Sequence, residues 1–383
     1  MSIHIAMLLS NPFRPDPRVH KEARSLVEAG YKVTVICWDR QADLTEHETI
    51  DGIEIRRLVI PSGYGVGGRQ VFHLPRFWRR ALRVLRHLQP DIIHCHDLDT
   101  APAGFWYARA HGLPWIFDAH ECYPEQVRGL RVNRFIYCLL LFLERQMTRR
   151  ASYVITIGSL LAQRFRAMGG RVAVVGNYQP LADFNPTTGI SRAALGLRPE
   201  AFVVAYIGGF TPGRVILPLI RATQYAPEVI VLLLGDGPQR KMIEAEISKY
   251  PRARYLGRVP PGQVPNYTAL ADVIYYGLNH QIPDDNIHYS SPNALFNALA
   301  AGKPLLTGNL GEIARIVQEE QCGLIVEPLT PESLADAIKQ LRDPAVRAVM
   351  SINARRAAQE KYNWQVAAAT LLRLYQQLNQ EKR

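Results

Sequence analysis

Tyr206-Ile207-Gly208-Gly209-Phe210-Thr211-Pro212-Gly213-Arg214 lies between an apolar run and the start of a helical pattern. A short strand, a glycine turn and then a helix form the repeating unit of a sheet wound in parallel. The same rhythm extends in both directions. Upstream, strand-like runs fall near Ile3–Leu9, Tyr31–Cys37, Ile53–Ile60, Asp91–Cys95, Trp115–Asp118, Tyr153–Ile157 and Val172–Val175. Phe202–Gly208, Val229–Leu234, Arg254–Leu256, Asp272–Tyr276, Pro304–Thr307 and Gly323–Val326 repeat the plan. The pattern predicts an α/β protein with two doubly wound, Rossmann-like sheets. Between them, Asn177 to Gly189 is polar, rich in turn residues and without apolar periodicity, so the hinge is expected there. The expected organisation is a first domain over 1–180, a second over 190–362, and a helix over 363–383 that crosses back to the first. Such sheets take ligands at the carboxyl ends of their strands, in a cleft the two domains would share.

At 383 residues the chain exceeds the size at which one core keeps growing. With 48% hydrophobic and 21% charged residues, long disorder is excluded. The five cysteines, Cys37, Cys95, Cys122, Cys138 and Cys322, are scattered and odd in number, which fits a reducing compartment. The opening Met1-Ser2-Ile3-His4-Ile5 lacks the charged start of a signal peptide, and no stretch reaches the roughly 18 apolar residues that span a bilayer. The expected location is cytoplasmic, with a peripheral place on the inner face of the cytoplasmic membrane as its extension. A net charge of +11 admits nucleic acid, anionic lipid or phosphorylated small molecules as partners.

Several segments carry chemistry. In the opening stretch, Gly208 and Gly209 let the backbone approach a phosphate, the helix start offers free N–H groups, and Arg214 adds a bidentate donor. A tight turn with a surface arginine is the structural alternative. Asp236-Gly237-Pro238 follows the next strand and reads equally as scaffold or as ligand loop. Tyr289 to Pro304 places Ser291 and Asn293 at a helix start, with Asn293 and Asn297 one turn apart on one face, a setting for a diphosphate and a ribose. His94 and His96 share a strand face, but no third ligand has metal-site spacing, so no metal is expected. Asp97-x-Asp99 is misplaced for a metal-diphosphate role. Gly63-x-Gly65-x-x-Gly68 matches a dinucleotide fingerprint by letters only, since no acid follows in the next 20 residues.

Taken in order, these segments resemble the retaining glycosyltransferases of family 4, which have the GT-B fold. Asp16-Pro17-Arg18-Val19 with Lys21-Glu22-Ala23, Ile93-His94-Cys95-His96-Asp97 and Asp118-Ala119-His120-Glu121 are similar to that family's first half. The glycine turn, Gly235-Asp236-Gly237-Pro238, Gly257-Arg258-Val259 and Pro292 to Pro304 are similar to its donor half. The resemblance implies a nucleotide-sugar donor, UDP- or GDP-linked, that is a substrate; no separate cofactor is implied. It places the base near Arg258 and Val259, the ribose near Asn297, and the diphosphate at Gly208, Gly209, Arg214, Asp236, Gly237 and the Ser291, Asn293, Ala294, Leu295 helix start. It implies catalytic places for His120, as a neutral imidazole, and Asp118, and acceptor contacts at Arg14 and His96. Where the family has an arginine and two glutamates, this chain has Gly209, Tyr289 and Asn297, and Ala294 stands where a lysine is frequent. An impaired nucleotide-sugar-binding partner protein and a sugar-nucleotide epimerase are the competing readings.

Arg76, Arg79, Arg80, Arg83 and Arg86 fall opposite Phe77, Trp78, Ala81, Leu82 and Leu85 on one predicted helix, and Phe135 to Leu143 is apolar between arginines. The first suits an anionic membrane surface, beside a lipid-linked or glycan acceptor, and the second is too short to span a bilayer, so burial or interfacial docking remains for it. A domain helix with a solvated basic side is the alternative for the first. No nucleic acid is expected, because no aromatic-basic recognition motif accompanies the charge.

Overall fold

A computed structural model describes residues 2–14, 16–62, 72–128, 133–184, 190–279 and 285–381. The Gly63-x-Gly65-x-x-Gly68 match and the end of the hinge segment lie outside the described residues. The chain divides into two compact units. The first comprises Met1–Gly176, Asp284–Tyr289 and Ala367–Arg383, and the second comprises Asn177–Pro283 and Ser290–Val366.

The first unit runs β1 (His4–Leu9), α1 (Pro17–Glu28), β2 (Lys32–Asp39), β3 (His47–Ile50), β4 (Ile53–Val59), α2 (Leu74–Leu88), β5 (Ile92–His96) and α3 (Ala101–His111). It continues through β6 (Trp115–Ala119), α4 (Tyr123–Arg128), α5 (Arg134–Arg150), β7 (Tyr153–Thr156), α6 (Ser159–Ala167) and β8 (Val172–Val174). The second unit holds β9 (Phe202–Ile207), α7 (Leu217–Ala222), β10 (Val229–Leu234), α8 (Arg240–Ile247), β11 (Ala253–Gly257), α9 (Val264–Leu270) and β12 (Val273–Tyr276). Then come α10 (Asp285–Tyr289), which belongs to the first unit, and α11 (Asn293–Ala300), β13 (Leu305–Gly308), α12 (Gly311–Glu320), β14 (Gly323–Val326), α13 (Pro331–Arg342) and α14 (Pro344–Glu360) of the second. The helix α15 (Trp364–Glu381) has all but its first residues in the first unit.

Both wound sheets expected from the sequence are present. The second sheet has the order β11-β10-β9-β12-β13-β14, all parallel, which is the doubly wound Rossmann arrangement. The first has β3-β4-β2-β1-β5-β6-β7-β8, parallel except for the β3–β4 pair. Strand β3 was not foreseen, because His47-Glu48-Thr49-Ile50 is polar and half exposed, as an edge strand can be. Strands β1, β5, β6 and β10 are buried along their whole length, since helices cover both faces. In each sheet the winding reverses beside the first strand, at β1/β5 and at β9/β12. Loops at the carboxyl ends of those strands diverge there and leave room for a ligand.

Candidate functional site

At the carboxyl ends of β5 and β6 the first unit gathers charged groups that one sheet end would not ordinarily bury. Helix α1 starts cleanly, because Pro17 fits its first turn and the Asp16 carboxylate accepts the N–H groups of Arg18 and Val19. Its buried face carries Val19, Ala23 and Leu26, but also Arg18 and Glu22. The Arg18 guanidinium donates to the Val175 carbonyl at 2.8 Å and to Asp118 Oδ1 at 3.0 Å, and lies 3.0 Å from Glu22 Oε1. A charge so buried is tolerable only when paired, and here each carboxylate meets a cation.

Asp118 is the hub. His120 Nε2 lies 2.8 Å from its Oδ2, His96 Nδ1 3.2 Å and His94 Nε2 3.5 Å. Burial opposes ionisation of Asp118, but Arg18 and His120 outweigh it and hold the carboxyl well below its ordinary range. Burial likewise opposes charge on His120, yet Asp118 and, more distantly, Asp97 raise it well above the ordinary histidine value. This corrects the expectation of a neutral imidazole at His120. Asp97 Oδ2 lies 3.6 Å from the ring and Oδ1 accepts the His120 N–H, from a backbone at φ 63, a left-handed conformation uncommon outside glycine. Burial, with His96 adding to it, lowers His94 to about 4, so His94 is neutral. It accepts the Tyr375 hydroxyl at Nδ1, 2.7 Å away, and keeps its own proton on Nε2. Burial raises Glu22 to about 7 against the pull of Arg18.

Exposure sorts these groups. His120 keeps 17% of its side chain accessible, whereas Asp118, His94, His96 and Glu22 have none. Asp118 therefore positions His120 and does not itself reach a substrate. His96, expected to meet an acceptor, is sealed behind His120, with the two rings 5.5 Å apart. Arg14 is half exposed and paired with Asp43 at 2.6 Å. The fold also brings Glu22 and Asp118 to His94 and His96, so that four ligand-type atoms lie within 4.8 Å of one another. Spacing alone could not show this. The donor set is one that a divalent ion accepts, but Arg18 and His120 already place cations on these carboxylates. Sequence reading passed over Arg18, Glu22 and Tyr375 as site residues. An arginine and a glutamate four apart on an apolar helix face were a signal; Tyr375, 281 residues from His94, had none.

In the second unit, two turns interlock at the carboxyl ends of β9 and β10. Gly208 N–H donates to the Leu234 carbonyl and Phe210 N–H to the Asp236 carbonyl, both at 2.9 Å. Gly235 and Gly237 are required by this contact. A Cβ on Gly235 would stand 1.8 Å from the Gly208 oxygen, and one on Gly237 2.6 Å from the Phe210 oxygen. The Gly-Asp-Gly-Pro segment thus has a scaffold task, supporting the Gly208–Gly209 turn, while the Asp236 side chain is exposed. The Arg214 guanidinium lies 5.0 Å from the Tyr276 ring centre, and Tyr276 stacks on Tyr206, whose hydroxyl donates to the Gly209 carbonyl.

Helix α11 follows β12, the neighbour of β9. No side chain caps it, and Ser291 Oγ is buried without a hydrogen-bond partner among the described residues. An uncapped start beside a free hydroxyl is ready for an anion. Leu295 is buried and its N–H turns back to the Pro292 carbonyl, so it lends neither side chain nor N–H to a ligand. Ala294 is also buried and offers backbone alone. Asn293 accepts from Asn177 at 2.9 Å, Asn297 is half buried one turn on, Val259 is half buried and Arg258 is exposed. Tyr289, at the first glutamate position of the resemblance, packs on the core of the first unit.

The sequence matches the family model "Glycosyl transferase 4-like domain" over residues 15–178 and "Glycosyl transferases group 1" over 203–343. The lipopolysaccharide core biosynthesis glycosyltransferase LpsD of Rhizobium meliloti is 26% identical over 72% of this chain and 71% of its own length. Sucrose-phosphate synthase from Thermosynechococcus elongatus superposes with a TM-score of 0.80 at 21% identity, over 99% of this chain and 100% of that one. Anabaena HepE, solved in complex with UDP, superposes with a TM-score of 0.74 at 16% identity, over 99% and 100%.

Proposed function

The chain is a glycosyltransferase of the GT-B type, formed by a glycosyl transferase 4-like domain and a group 1 domain, and on that premise we propose that it moves a sugar from a nucleotide-sugar donor to a lipid-linked or polysaccharide acceptor. The observation that carries this reading is the β9/β12 reversal. There the Gly208–Arg214 turn and the uncapped start of α11 both follow carboxyl ends of adjacent strands. Backbone N–H groups, Ser291 and Arg214 supply fixed donors for a diphosphate, and neutralising the leaving group in this way needs no metal. Asn297 hydrogen-bonds the ribose through its amide, and Arg258 and Val259 flank the base. The imidazolium of His120 offers hydrogen bonds to a hydroxyl of the reacting sugar. Transfer proceeds with retention, the departing phosphate taking the proton of the incoming hydroxyl on the same face.

Calorimetry with UDP, GDP and ADP tests the donor site. One nucleotide should bind selectively, and Arg214→Ala should weaken it by about tenfold, the loss of one charge-assisted bond; no binding of any nucleotide would overturn the assignment. Proton NMR of the product anomer checks retention. Tyr289, packed where the resemblance has a carboxylate, favours a second reading, a nucleotide-sugar-binding protein without efficient transfer. Turnover by the unmodified protein removes it.

We also infer that the first unit docks on an anionic membrane through α5. Phe135, Ile136, Leu139 and Phe142 form one exposed stripe, with Phe135 74% and Phe142 57% accessible, between Arg134 at one end and Arg145, Arg149 and Arg150 toward the other. An apolar stripe framed by arginines complements a negatively charged bilayer. Helix α2 does not serve in this way, because its apolar face, Leu74, Phe77, Ala81 and Leu85, is buried in the first unit. No described helix is long and apolar enough to cross a membrane. Co-sedimentation with phosphatidylglycerol vesicles should be lost in the Phe135→Ser/Phe142→Ser double variant; undiminished sedimentation would refute docking by α5.

A further inference from the structure

Burial of Leu74, Phe77, Ala81 and Leu85 fixes the rotation of α2 and turns its arginines outward together. Arg76, Arg79, Arg80 and Arg83, at spacings i, i+3, i+4 and i+7, line one wall of a cavity of ≈ 360 Å³. Val59, Ile60 and Pro61, at the end of β4, form the other wall. The Arg80 guanidinium is anchored on the Val59 carbonyl. Among the described residues no carboxylate pairs with any of the four.

Left to themselves, these charges are badly placed. Arginines four apart on a helix repel one another. Three of them lie in the first two turns, at the positive end of the helix dipole, with no acidic residue in the first turn and no side-chain cap at His73. A bound polyanion reverses each of these penalties, and guanidinium forks match phosphate oxygens two at a time. The stripe spans about 10 Å along the helix, longer than one phosphate and suited to two in sequence. The facing apolar wall suits the first carbons of a chain esterified to them.

We propose that this cavity binds the diphosphate of a lipid-diphosphate-linked acceptor. The inference rests on the transferase reading above and makes its acceptor more specific. The distinguishing chemistry is a doubly anionic head joined to an apolar chain, which a free phosphate and a phosphodiester headgroup each lack in part.

The test uses the full chain, titrated by calorimetry with inorganic pyrophosphate and with geranyl diphosphate, a short soluble isoprenyl ester. Phosphatidylglycerol vesicles form the third arm, and UDP is titrated in parallel. Geranyl diphosphate should bind more tightly than pyrophosphate and lose affinity steeply with salt. Arg79→Gln/Arg83→Gln should weaken both ligands by about tenfold or more, while Arg86→Gln, outside the cavity, leaves them unchanged. UDP affinity should be the same in all three proteins, which also shows that the variants are folded. Equal diphosphate binding in the double variant, or loss confined to vesicles, overturns the proposal. Absence of UDP binding in the unmodified protein would instead count against the transferase reading, with the diphosphate arms still deciding whether the arginine cavity is a site.

Discussion

His120 is pinned between Asp118 and Asp97, so its proton is part of the site's architecture. A histidine raised well above its ordinary value stays charged through neutrality and loses its proton only on the alkaline side. Transfer should therefore remain flat with pH across the usual histidine range near 6.5 and decline only above it. A midpoint near 6.5 in the rate profile would contradict this. His120→Asn should lower turnover by at least about tenfold, with nucleotide affinity unchanged by calorimetry. Glu22 makes the opposite kind of contribution. It faces Arg18, Asp118, His94, His96 and His120, and burial raises it from 4.5 to about 7. The folded protein thus binds a proton there that the unfolded chain has released, so the stability it contributes is full below pH 4.5 and is lost as pH rises to about 7. Thermal melts should show Glu22→Gln gaining on the parent across that window; parallel melting curves would refute it. Arg18 and Glu22 were legible in kind, as charges on an apolar helix face, but not in partner, because hydrogen bonds spanning a hundred residues leave no local pattern.

At the scale of elements, the sequence was most informative where a period repeats. Strands β9 and β10 follow from apolar runs and a glycine turn, and both appear within a residue of the ranges expected. Edge strand β3 escaped because its alternation is short and polar. Helix α2 shows the limit of pattern reading: its basic amphipathic character was plain, but whether the apolar side meets a core or a bilayer depends on the strands packed beneath it. The interlocked turns behave as one part. Gly235→Ala would drive its methyl group into the Gly208 carbonyl, so the melting temperature should fall and UDP affinity should fall with it, although no ligand contact is altered. Retained UDP affinity in that variant would separate the two turns.

For the whole molecule, the first unit is discontinuous in sequence. Leu371, Leu374, Tyr375 and Leu378 of α15 are buried in it, at about 1.5–3 kcal/mol each for a large apolar side chain. Together they approach the entire stability of an ordinary domain. A chain ending at Val366 should lose the ordered first unit, seen as lost near-ultraviolet circular dichroism and rapid proteolysis, while the second keeps its sheet. Proteolytic resistance of residues 1–176 in that truncation would refute the dependence. Tyr375→Phe is the milder form, leaving His94 Nδ1 unmet at about 1–3 kcal/mol.

This arrangement has a consequence for synthesis. A ribosome delivers the polypeptide from one end, and multi-unit chains ordinarily settle in the order they emerge. Here every strand of the second unit is translated before Tyr375 exists. The first unit, although most of it is made first, must stand incomplete until α15 arrives, with His94 lacking its Tyr375 partner. A prematurely terminated product would therefore carry an unfinished first half, recognisable to chaperones and proteases, and could not present His120 in working order.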